Sequence, residues 1–188
     1  MSRREVGFIV AGAAAMCIVV AVVWSIVNAR TMDRYTRAVD SSRMLGHRAP
    51  DFAVVTNRGT FDSRRTTKPV VLEVFATWCG HCKKEVAALN ALYRRHATET
   101  DFVAVSGSRY AIDGTSPETA ADVYAFARNL KVQYPAGYDP SLGVAHAFLI
   151  GAYPTVLVID RKKQVTFQAG GEVPEATIEH AIEAALAS

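Results

Sequence analysis

Residues 69–75 read PVVLEVF, an apolar, largely β-branched run without polar alternation. A strand of that kind is buried on both faces, so it belongs inside a sheet covered on both sides. Just after it comes Trp78-Cys79-Gly80-His81-Cys82, which opens a stretch of helical spacing. Within Cys79–His96, Val86, Leu89, Asn90 and Tyr93 recur near one face, with Leu92 beside them. The same alternation continues downstream. Phe102–Ser106 predicts a strand, and Ser116-Pro117-Glu118 predicts a helix start with Pro at its first position, running to about Leu130. Tyr134–Tyr138 reads as a short strand, Ser141–Phe148 as a short helix and Thr155–Asp160 as a strand. Gln164–Ala169 reads as that strand's hairpin partner, and Pro174–Leu186 as a closing amphipathic helix. Upstream, Asp51–Thr56 and Thr60–Asp62 flank Asn57-Arg58-Gly59 as a hairpin. Strands alternating with helices specify a layered α/β domain over residues 50–188.

Ahead of that domain the sequence changes character. Val6–Val27 holds 22 residues without a charge, against the ~20 that cross a hydrocarbon core. Residues 1–5 are a short tail, 6–27 a transmembrane anchor in contact with the lipid bilayer, and 28–49 a juxtamembrane linker. The apolar run exceeds the ~7–15 residues of a cleavable signal, although Val27-Asn28-Ala29 offers a cleavage site. Ser2-Arg3-Arg4 reads as a topology signal rather than a twin-arginine motif, because Glu5-Val6-Gly7 does not continue one. Cys17 follows Met16, too large to precede a lipidated cysteine, and reads as a small apolar thiol. Arg3 and Arg4 precede the span, whereas Arg30, Arg34 and Arg37 follow it, so the basic count leans against export.

Charge excludes nucleic acid as a partner. Residues 1–49 carry seven Lys/Arg against three Asp/Glu, while residues 50–188 carry fourteen against fifteen. A near-neutral body lacks a basic footprint. Three cysteines in 188 residues are too few for a disulfide scaffold. No second Cys pair exists and His47, His96, His146 and His180 are scattered, so no metal site is expected and these histidines read as surface residues.

Two cysteines at i and i+3 lie one helical turn apart, where their sulfurs can meet in a small disulfide ring. A helix N-terminus offers unpaired N–H groups and positive partial charge. Both favour a thiolate at Cys79, the attacking nucleophile of thiol–disulfide exchange, and leave Cys82 to resolve the mixed disulfide. Glu73 lies between Val71 and Phe75 on one strand face. An enclosed carboxyl has a raised pKa and suits a proton acceptor for Cys82. A protonated His81 beside Cys79 favours the thiolate and makes the pair more oxidising.

The stretch Glu73-Val74-Phe75-Ala76-Thr77-Trp78-Cys79-Gly80-His81-Cys82-Lys83 resembles the active-site segment of the thioredoxin superfamily, with the CGHC core of protein disulfide isomerase. The surrounding domain is similar to the membrane-anchored TlpA/ResA group of thiol–disulfide oxidoreductases. Ala49-Pro50-Asp51-Phe52, Tyr138-Asp139-Pro140 and Tyr153-Pro154-Thr155 carry that likeness. The resemblance implies a thioredoxin-like fold: a central mixed sheet flanked by helices, with an N-terminal hairpin and a helix–strand insertion before a cis-proline at Pro154. It implies catalysis by Cys79, Cys82 and Glu73, redox tuning by Gly80 and His81, and substrate contact by Trp78, Tyr153, Pro154 and Thr155. It implies no cofactor beyond the redox-active Cys79–Cys82 disulfide. The expected partners are protein thiols or disulfides and a membrane electron donor or acceptor for recycling. The catalytic domain is expected on the extracytoplasmic face of a cell membrane, crossed once. TlpA/ResA relatives reduce apocytochrome c or copper-site cysteines, whereas Gly80-His81 points to dithiol oxidation or isomerisation. A peroxidase is disfavoured because Ala76 stands where that chemistry resembles a Thr. A copper-delivery module is disfavoured because its cysteines are spaced one residue further apart, with a distal His.

Overall fold

The computed structural model describes residues 19–21 and 43–188. The expected anchor, tail and most of the linker lie outside the described residues. Among the described residues no helix is long and apolar enough to cross a membrane.

Seven strands form one mixed sheet in the order β2-β1-β5-β4-β3-β6-β7. The expected hairpin is β1 (Ala53–Thr56) and β2 (Gly59–Asp62). Gly59 takes φ +105°, which other residues rarely adopt, so the tight return needs it. The central strand β3 (Val70–Phe75) is buried at every position, as its uninterrupted apolar run requires. It pairs in parallel with β4 (Asp101–Ser106), which pairs in parallel with β5 (Ala136–Tyr138). On its other side β3 runs antiparallel to β6 (Thr155–Ile159), and β6 to β7 (Val165–Gly170).

The crossover helices α1 (Gly80–His96) and α2 (Ala120–Asn129) pack on one face of the sheet. They share it with the C-terminal helix α4 (Glu175–Ala187), over a core that includes Phe75, Leu89, Phe126 and Ile178. The opposite face is covered by the short α3 (Gly143–Ala147) and by Met44, Phe52 and Phe148. The architecture is the expected central mixed sheet flanked by helices.

Three details depart from expectation. Helix α2 does not start at Pro117. Thr119 is its N-cap and exchanges hydrogen bonds with Asp122 in a capping box, while Pro117 bridges to Tyr110 in the preceding loop. A Ser/Thr side chain satisfies the orphan N–H groups of a first turn, which a proline ring cannot do. The packed body also begins before Pro50. Met44 and Ala49 are buried; Met44 N–H donates to Gln168 at 2.8 Å, and Gly46 and Ala49 donate to the carbonyls of Val165 and Lys163 at 2.8 Å each. Residues 44–49 therefore strap the edge of β7 at its Val165 end, remote from Gly170. Finally, His96 is half-buried against Glu179 at 3.4 Å, not a partnerless surface residue.

Candidate active site

The chain leaves the buried end of β3 and turns into α1, where Cys79 is the N-cap. Its sulfur accepts the N–H of Cys82 at 3.2 Å, which places the first-turn dipole on that atom. The Cys79 thiol donates to the carbonyl of Tyr153 at 3.5 Å. The Tyr153–Pro154 bond is cis, so the two expected elements meet face to face. Cys79 keeps 5% of its surface exposed and Cys82 none. Burial pushes the Cys82 thiol strongly up, and its contact with Cys79 and the charge of Glu73 add to the effect. The outer sulfur is thus the one a partner can reach, and the inner one holds its proton.

Glu73 sits fully enclosed below the pair. Its Oε2 accepts the phenol of Tyr134 at 2.9 Å, and its Oε1 has no protein partner. Burial lifts its pKa to about 8; the Tyr134 hydrogen bond opposes this and the charge of Glu85 adds to it. Glu85, one turn beyond Cys82 on α1, is a second buried acid. It accepts from Val173 N–H at 3.1 Å and leaves its own Oε1 unpartnered. Burial raises it to about 7. Glu118 is a third: Thr77 donates to it at 2.8 Å and Ser106 donates to its other oxygen, and burial raises its pKa against those bonds.

The rim is aromatic. Trp78 is 42% exposed, its indole N–H donates to Ser108 at 2.8 Å, and its ring meets Tyr153 edge-on at 6.0 Å. The Tyr153 hydroxyl donates to the Gly107 carbonyl. A Cβ on Gly107 would lie 2.7 Å from Val74 and 3.0 Å from Tyr153, so only glycine allows this approach. Pro154 and Thr155 are buried where β6 begins. Gly80 is exposed with open space where a Cβ would stand.

His81, expected beside Cys79, has its imidazole paired with an acid from another loop. Its Nδ1 lies 2.5 Å from Glu172, which Lys84 also approaches at 3.2 Å. The loop after β7 brings that carboxylate over the first turn of α1, where it pairs with His81 and Lys84. The hydrogen bonds from His81 and Lys84 hold Glu172 below the usual carboxylate range.

All nine expected site residues therefore lie around the β3–α1 junction and the start of β6. Glu85, Glu118, Tyr134 and Ser108 were not anticipated. The signal for Glu85 is present: Cys79, Cys82 and Glu85 repeat every three residues along one helix. The others reach the site by tertiary contact alone.

A dithiol capping a helix, opposite a cis-proline on a covered mixed sheet, defines a thioredoxin-like thiol–disulfide oxidoreductase. The chain belongs to the AhpC/TSA family, which matches residues 45–168. Among curated proteins it is 29% identical to the thioredoxin-like protein YneN of Bacillus subtilis, over 62% of this chain and 66% of that one. It is 25% identical to the thiol-disulfide oxidoreductase ResA of Bacillus cereus, over 74% and 78% of the two chains. Among solved structures, a Chlorobium tepidum protein assigned as the thiol:disulfide interchange protein DsbE superposes with a TM-score of 0.65. The identity is 27%, covering 76% of this chain and 97% of that one. The likeness to the TlpA/ResA group read from the sequence agrees with these relatives.

Proposed function

We propose that the chain is a membrane-anchored oxidoreductase that reduces disulfides of partner proteins on the extracytoplasmic side. The observation that carries the dithiol mechanism is the asymmetry of the pair. Cys79 is the reachable sulfur under a helix N-terminus, and Cys82 is sealed in beside an acid with a free oxygen. The Cys79 thiolate attacks a partner disulfide, forming a mixed disulfide and releasing one partner sulfur as a thiolate. Glu73 takes the proton of Cys82. The Cys82 thiolate then attacks Cys79, closing the Cys79–Cys82 disulfide and expelling the second partner thiolate. Two electrons pass to the partner, and a membrane reductant restores the dithiol. Trp78, Tyr153, Pro154 and Thr155 border the place where the partner chain lies.

The Glu172 contact of His81 favours reduction over oxidation. A carboxylate beside the imidazole offsets the charge that would stabilise the Cys79 thiolate and make the pair oxidising. Apocytochrome c or copper-site cysteines are the substrates this direction suits. Residues 6–27 supply the anchor, by their length and lack of charge.

Cys82→Ser is expected to trap mixed disulfides with partner proteins, and Cys79→Ser to trap none. Trapping by Cys79→Ser instead reverses the assignment. A phosphatase reporter fused after Ser188 is expected to be active, since that enzyme works only when exported. An inactive fusion of normal abundance sinks the topology and leaves the dithiol chemistry standing.

A further inference from the structure

Tyr134 lies between α2 and β5, far in sequence from the dithiol, and is among the largest fully buried side chains. Three observations concern how it is held. It donates to Glu73 Oε2 at 2.9 Å, while Oε1 on the same carboxyl has no partner. The backbone just before it is held by one side chain of α1: Asn90 donates to the carbonyl of Lys131 at 3.0 Å and accepts the N–H of Gln133 at 2.8 Å. The ring is wedged against Tyr93 and Phe102, with centroids 6.2 and 6.3 Å away. The phenol is thus buried and held from its backbone, its ring and its hydroxyl.

We propose that Tyr134 is the positioning residue of the proton-transfer step: by occupying Oε2 it fixes how tightly Glu73 holds a proton and leaves Oε1 alone to receive the one from Cys82. The inference rests on Glu73 as the acceptor for Cys82. The groups facing Glu73 are few. Helix α1 contributes Cys82 and Glu85, the segment before β5 contributes Tyr134, and the paired positions on β4 and β6 are the apolar Ala104 and Val156. No cation is among them, so the phenol is the neutral donor that favours the carboxylate. Burial near Glu73 and Glu85 holds the phenol's own pKa well above its ordinary value, so it remains a donor throughout the working range.

The test follows one step. The full chain is loaded at Cys79 with glutathione as a mixed disulfide, and release of glutathione by Cys82 is timed from pH 5 to 10. Release by the native chain is expected to rise with pH on a limb that Glu73→Gln abolishes. Tyr134→Phe keeps the ring and removes only the hydroxyl. It is expected to move that limb upward by about one unit, hence to slow release about tenfold at pH 7. In the Glu73→Gln background the same substitution is expected to change nothing further. 3-Fluorotyrosine at position 134, a stronger donor of nearly the same shape, is expected to move the limb downward, and this gives a reading even if the Phe variant does not fold. A limb that stays in place in both Tyr134 variants, while Glu73→Gln abolishes it, overturns the inference and leaves Tyr134 as packing. A native profile in Glu73→Gln overturns the acceptor role itself.

Discussion

Glu73 carries its charge at a cost to the fold. Its pKa rises from an ordinary 4.5 to about 8 in the folded chain, so the native state binds this proton more tightly than the unfolded one. Stability therefore falls as pH climbs through that window, and levels off above it. Melting temperature of the reduced protein is expected to drop between pH 5 and 8. Glu73→Gln is expected to remove much of the slope and to be the more stable form above pH 8, by on the order of 5 kcal/mol. Glu85, raised to about 7, leaves a residual slope in that variant. An equal slope in both proteins would place the cost elsewhere. The burial of Glu73 is legible in its neighbours, because Val71 and Phe75 flank it on one strand face and an apolar run leaves a carboxyl nowhere to go. Its hydrogen-bond partner is not legible. Tyr134 reaches it across 61 positions, and no local pattern marks which of seven tyrosines does so. His81 illustrates the same limit. Sequence places it beside Cys79, but Glu172, from a loop 91 positions away, decides where the imidazole points.

At the scale of elements, types follow from periodicity and ends follow from capping. Every expected strand and helix of the α/β body is present, since runs such as PVVLEVF and TVLVI admit no other burial. The start of α2 shows how an end is mistaken. Pro117 satisfies the preference for proline in a first turn, but Thr119 and Asp122 supply a reciprocal pair of hydrogen bonds that outweighs it. Thr119→Ala is expected to destabilise the domain by about 1 kcal/mol in urea unfolding. Pro117→Ala is expected to stay within ~0.5 kcal/mol of the native value. The reverse order would return the helix start to Pro117. The cap matters to the site because the turn just before it holds Glu118, whose carboxylate takes hydrogen bonds from Thr77 and Ser106. Loosening α2 thus loosens the residue next to Trp78.

The whole molecule depends on residues that composition assigns to a tether. The strap of residues 44–49 pairs with the outer edge of β7 at Val165, which otherwise presents an unpaired N–H and C=O to any passing strand. Beginning the chain at Pro50 removes buried Met44 and Ala49 and takes the Met44 N–H from Gln168 Oε1. That truncation is expected to cost about 2–4 kcal/mol, given ~1.5–3 kcal/mol for a buried Met side chain. It is also expected to promote self-association, read by sedimentation. A chain beginning at Arg43 is expected to keep full stability. Equal stability of the two would make the strap ornamental.

The strap also lies far from the dithiol. It joins β7 at Val165, whereas the strand's other end, Gly170, pairs with Thr155 beside the cis-proline. Those ends are separated by the length of a six-residue strand, roughly 17 Å. Residues 44–49 therefore hold the domain at one end of β7, and Cys79 with the cis-proline lies toward the other. A partner protein can meet Cys79 there without displacing the strap.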